Sequence, residues 1–102
     1  MIRMLTAVAV APGHEKVWEE EWRWLAAMVR RCPGFRGATL LRDSTQPHRY
    51  LVESEWDGHK QLAQAVRSAE LVWLNHNMTT PSIAGPTQVY DEVVEVVNDT
   101  IG

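Results

Sequence analysis

Residues 2–11 are almost wholly apolar whichever face they turn: Ile2, Met4, Thr6, Val8 and Val10 alternate with Leu5, Ala7, Ala9 and Ala11. Side chains on a strand point to opposite faces in turn, so this run reads as a strand covered on both sides. A chain of 102 residues makes one domain, 1–102, and leaves no room for a second core. Its own helices can cover one side of such a sheet. Large exposed apolar patches are rare on monomers, so a second copy is the economical cover for the other. The expectation is a homodimer.

The rest of the chain supplies the helices. Pro12-Gly13 ends the first strand, and strong helix formers fill residues 14–31 until Pro33-Gly34 stops them. Residues 35–43 and 49–57 read as two strands joined by the loop STQPH, which makes a hairpin. On the second of these, Tyr50, Val52, Ser54 and Trp56 share one face and Leu51, Glu53 and Glu55 the other. Asp57 is a good N-cap for a broken helix over 58–77, after which TTPSIAGP reads as a loop and the β-branched run 88–97 as a closing strand. The order β, α, β, β, α, β predicts an α+β fold of ferredoxin-like type, a four-stranded antiparallel sheet with both helices on one face.

Charge and cysteine usage exclude several functions. A formal net charge of −3 argues against a nucleic-acid surface, and no apolar run approaches the roughly 20 residues that a membrane span needs. The first ten residues are too short to hold a signal peptide's three regions, and the lone Cys32 has no partner for a disulfide or a zinc site, so a cytoplasmic setting is expected. No metal spacing, phosphate loop, dinucleotide fingerprint or hydrolase elbow is present in the sequence. One excess stands out, five tryptophans against a single phenylalanine. Each is a large flat apolar surface that must be buried or used.

On a helical wheel at about 100° per residue, Trp24, Val17, Met28, Cys32, Leu25, Trp18, Val29 and Trp22 fill one arc of roughly 160°. Glu21 projects into the middle of it. A carboxylate there either pairs with an arginine of the sheet or holds its proton more tightly than in water, and an acid of the second kind can move protons. His76, in WLNHN, ends an apolar helical piece facing the sheet side that bears Tyr50 and Trp56. It could orient a ligand, bind a heme iron, shuttle a proton or merely sit favourably at a helix end. These residues, with Ser54, Trp24, Trp73 and Asn75, outline an aromatic-lined space suited to a flat apolar molecule. Core packing explains many of the same residues.

The segments CPGFRGATLLRD, RYLVESEWDGHKQLAQAVRSAELVWLNHN and AGPTQVYDEVVEV carry a resemblance. Pro-Gly-Phe opening the second strand, Trp56 closing the third, a broken helix and Gly-Pro before the last strand resemble the antibiotic biosynthesis monooxygenase superfamily over nearly the whole chain. The resemblance implies a dimeric α+β barrel, and its members include cofactor-independent oxygenases of aromatic polyketides and heme-degrading monooxygenases. In the heme-degrading pattern an Asn falls on Thr6, a Trp near Ala65 and a heme-ligating His close to His76. The polyketide oxygenases share Trp56 and the RSAEL run, while their Asn falls on Val52 and their Tyr on Leu62.

What the resemblance implies is a monooxygenase acting without cofactor on a polyketide-type phenol or hydroquinone. Trp56 and Tyr50 would stack and orient it, Trp24, Trp73 and Asn75 would line the site, and His76 or Glu21 would transfer protons. The alternatives are a heme-binding or heme-degrading enzyme ligated through His76, and a non-redox module that binds or cyclises a small molecule.

Overall fold

The computed structural model describes residues 1–68 and 82–98. Its elements run β1 (Ile2–Val10), α1 (Glu15–Val29), β2 (Phe35–Arg42), β3 (Arg49–Trp56), α2 (His59–Val66) and β4 (Ser82–Asp91). The strands form one antiparallel sheet in the order β2-β3-β1-β4, with the doubly apolar β1 in the interior. The α+β, ferredoxin-like arrangement expected from the pattern is the fold observed. The further helical piece expected up to residue 77 lies outside the described residues.

Both helices pack on the sheet face that carries the even-numbered residues of β1. Two small clusters form the core there. Val10, Trp18 and Tyr50 close one end, and Ile2, Trp56, Leu62 and Ala65 the other. The Trp18 and Tyr50 rings stand 4.6 Å apart, and Phe35 meets Trp56 edge-on at 5.2 Å. Between the clusters the sheet and α1 stand apart.

One cap differs from expectation. Asp57 does not cap α2: Gly58 occupies that position without a side-chain bond, and Asp57 instead accepts from Arg36 at 3.0 Å. At α1 the Glu15 carboxylate reaches back to accept from the Gly13 amide, which holds it below the usual carboxylate range through that bond and the one to its own backbone N–H.

The last strand lies earlier than residues 88–97. It spans Ser82–Asp91, taking in most of the segment read as a loop, while 92–98 has no regular structure. The reason is the supply of partners. β4 pairs with β1 from Val10↔Ser82 to Ile2↔Asp91, and the last bond is from the Glu92 amide to the Met1 carbonyl, at 3.0 Å. Beyond it the segment has no strand partner among the described residues, and strongly β-forming valines stay exposed: Val93, Val94, Val96 and Val97. Gly85-Pro86, which signalled a turn, fits the edge strand because the register shifts there, between Thr6 and Val8. A side chain on residue 85 would meet the Ala7 carbonyl oxygen at 3.1 Å, so glycine permits the close approach.

The open sheet face divides in two. Leu5, Ala7, Ala9, Leu41, Leu51 and Ile83 make an apolar half by their register. The other half holds Arg3, bonded to Glu53 at 2.7 Å and Glu92 at 3.0 Å and lying 3.2 Å from Glu55. One guanidinium among three carboxylates leaves a surplus of negative charge at that end.

Candidate active site

The gap between the two core clusters is a cavity of about 620 Å³, within the span of about 300–1,000 Å³ common for small-molecule sites. Its floor is the sheet, with Thr6 and Val8 from β1, Val52 and Ser54 from β3, and Thr87 from β4. The α1 wall presents Trp18, Trp22, Leu25 and Val29, a stripe at spacings of four, three and four that follows the helical repeat. Trp56, Leu62 and Ala65 close one end.

The polar side-chain groups of the lining residues are hydroxyls and indole N–H groups. Thr6 and Thr87 lie directly opposite on β1 and β4, their hydroxyls 2.9 Å apart, and the Trp56 indole donates to the Ser54 hydroxyl at 3.0 Å. Among the described residues that line the cavity none is ionisable. Nor do the described residues include a group of three or more His, Cys, Asp or Glu placed to hold a metal ion.

Tyr50 is buried beside Trp18 at the cavity's end and is not among the lining residues. Its hydroxyl donates to Glu19 at 2.6 Å. Burial, then that bond and the negative charge of Glu19, push the phenol up to about 12, so it stays neutral at ordinary pH. Arg42 approaches the same carboxylate at 4.0 Å.

Of the residues singled out from sequence, Trp56 lines the cavity, while Tyr50 packs in the core next to it. Trp24 is 55% exposed on the outer side of α1. Glu21 is half-buried and is not a lining residue. Trp73, Asn75 and His76 lie outside the described residues. The wheel explains the shift. Val17 and Trp24 face outward, so the buried stripe centres near Trp18, Trp22 and Val29, about 60° from the middle of the apolar arc, which leaves Glu21 on one flank and Glu19 on the other.

Sequence reading included Ser54 but passed over Glu19 and the pairing of the Thr6 and Thr87 hydroxyls. Helical phase places Glu19 at the stripe's edge, but only the packing angle of α1 brings it to Tyr50. The Thr6–Thr87 pair depends on a register that the expected strand, displaced by six residues from the one observed, would not give.

Fold and cavity together define a small ferredoxin-like α+β domain with a tryptophan-walled site between sheet and helix. Residues 1–71 match the family model for antibiotic biosynthesis monooxygenase, and the chain belongs to that family. No curated protein matches it in sequence. Among solved structures, SnoaB from Streptomyces nogalater, a cofactor-independent oxygenase, superposes with a TM-score of 0.83 at 19% identity, covering 93% of this chain and 95% of that one. A conserved protein from Methanosarcina mazei Go1 gives 0.74 at 15% identity, over 90% and 92% of the two chains. At these identities the likeness is one of fold. No helix among the described residues is long and apolar enough to cross a membrane.

Proposed function

We propose that the protein is a cofactor-independent monooxygenase acting on a flat aromatic molecule of the polyketide phenol or hydroquinone kind. The observation that carries this is the cavity's lining: Trp18, Trp22 and Trp56 supply flat apolar walls, and hydroxyls supply the polar contacts. Family membership and the fold shared with SnoaB support the reaction class.

In the proposed reaction the substrate provides the electrons. A phenolate reacts with molecular oxygen to form a C–O bond. The O–O bond then breaks as the ring C–H proton is lost, leaving a quinone carbonyl and one oxygen in water. The protein's part is to orient the ring, exclude water and manage protons. Glu21 on the flank of α1 and His76 are the proposed proton-transfer groups; Trp56 is the stacking residue. Full activity in both Glu21→Gln and His76→Ala would remove that assignment. Among the described lining residues none offers an axial ligand to a heme, and His76, which the heme alternative would use, lies outside the described residues.

Oxygen uptake with 1-naphthol, whose para ring C–H is free, measured against a protein-free control, tests the reading. Stoichiometric uptake with quinone formation is expected. Binding of the phenol without uptake would instead favour a non-redox binding module, and a Soret shift on titration with hemin would favour the heme alternative.

The open sheet face is proposed to be covered by a second copy. Arg49 shares that face with Glu53 and Glu55 but stands at the apolar end, by the pairing Ala9↔Arg49. A two-fold axis across the strands would bring it over the partner's surplus carboxylates while the apolar halves meet. Sedimentation should give a dimer, with Leu51→Glu shifting it toward monomer. A wild-type monomer at micromolar concentration would refute the pairing.

A further inference from the structure

We propose that the Thr6–Thr87 hydroxyl pair is the ligand-reading element of the cavity, donating a hydrogen bond to an oxygen on the bound ring and so selecting oxygenated aromatics over plain ones. The inference rests on the reading of the cavity as an aromatic site and adds the contact that sets its preference.

The argument is one of counting hydrogens. Two hydroxyls carry two hydrogens, and at 2.9 Å one of them lies between the two oxygens. The other belongs to the accepting hydroxyl, which makes no further bond among the described residues. Both threonines line the cavity, Thr87 from the exposed edge strand, so that hydrogen is able to turn to the space a ligand would fill. A hydroxyl that already accepts a bond is polarised into a better donor. The pair therefore offers one strengthened donor on the floor.

Ser54 repeats the arrangement. It accepts from the Trp56 indole at 3.0 Å and keeps its own hydrogen. Since Thr6 is opposite Val52, Ser54 lies diagonal to Thr6 across β1 and β3, about 7–8 Å away by backbone spacing. Two donors so placed suit oxygens on opposite sides of a ring. A carboxylate ligand would have no cation among the described lining residues, so the preferred oxygen is a carbonyl or a hydroxyl.

The test compares two probes of one shape, 1,4-naphthoquinone and naphthalene, by equilibrium dialysis against wild type, Thr6→Val, Thr87→Val and the double variant. Valine keeps the branched shape and removes only the hydroxyl. Each single variant retains one hydroxyl and is expected to keep most of its quinone affinity. The double variant should lose roughly 3- to 10-fold for the quinone, the worth of one hydrogen bond, with naphthalene affinity unchanged. The double Thr→Ser variant restores both hydroxyls and should recover the quinone affinity, which separates loss of the donor from loss of shape. Unchanged quinone affinity in the valine double variant, or equal loss for both probes, overturns the proposal while leaving the aromatic site standing. Failure of wild type to bind either probe overturns the aromatic site and the proposal with it.

Discussion

The bond from the Trp56 indole to Ser54 can be weighed by a double-mutant cycle. Trp56 is 2% exposed and Ser54 6%, so neither atom has water as a substitute. Ser54→Ala leaves a buried N–H without its acceptor, a penalty of about 1–3 kcal/mol. Trp56→Phe removes the donor together with part of the ring beside Phe35. Since large aromatic-to-alanine truncations cost about 3–5 kcal/mol and phenylalanine keeps most of the volume, about 1–2 kcal/mol is expected. With both changes the unmet donor no longer exists, so the double variant should be more stable than the sum of the single losses implies, by about 1–2 kcal/mol. Against a total stability of about 5–15 kcal/mol these are measurable losses, each about 4–8 °C in Tm per kcal/mol for a domain of this size. Urea and thermal unfolding followed by circular dichroism, at one fixed protomer concentration, give all four corners of the cycle. Single losses that simply add, to within about 0.5 kcal/mol, would refute the claim that this bond is made and buried.

Other perturbations test separate parts of the molecule. Because the folded state holds Tyr50 protonated up to about 12, its stabilising share is complete below the ordinary tyrosine value near 10 and is lost as pH rises from there through 12. Tyr50→Phe should abolish that loss in alkaline unfolding curves, and an unchanged curve would contradict the assignment. Gly34 holds φ of +81°, and a Cβ there would lie 2.3 Å from the Gln61 side chain. Gly34→Ala should therefore cost about 1–3 kcal/mol in urea unfolding, whereas Gly37→Ala, with nothing within 4 Å, serves as a nearly neutral control. Removing Arg3 strands three carboxylates together, so Arg3→Met should destabilise at neutral pH and recover as acid protonates the cluster; a loss independent of pH would show that packing matters instead.

Elements with strong local signals were legible in the sequence. β1, α1 and the β2–β3 hairpin follow from periodicity and from Pro-Gly punctuation, and each appears within a few residues of its expected bounds. β4 was misplaced because propensity is local and pairing is not. Val93 to Val97 are better strand formers than Ser82 to Pro86, yet only the latter lie opposite β1. The site suffered in the same way. Tryptophan counting found that an aromatic cavity was available, but which of Trp18, Trp22 and Trp24 face it depends on the rotation of α1, and Glu19 reaches Tyr50 through a contact 31 residues apart. Thr6 and Thr87, 81 residues apart, look like ordinary strand residues until register sets them face to face.

A cavity lined by indoles and hydroxyls is consistent with chemistry in which the substrate supplies the reactive electrons. A carboxylate held among Trp18, Trp22 and Trp56 would lose its hydration, and unless paired it would take up a proton. Hydroxyls avoid this cost because they are neutral at every working pH and can donate or accept as the ligand changes from phenol to quinone. Positioning and water exclusion then fall to the lining, and proton movement falls to groups at its margin. Glu21, half-buried on α1, is the group proposed for that work. Tyr50 and Glu19, although titratable and close, form a closed pair: the phenol is held neutral by burial and by the carboxylate it already serves, and that carboxylate spends its charge on Tyr50 and Arg42. The pair ties α1 to β3 at the cavity's end, which keeps the tryptophan wall at its distance from the hydroxyl floor.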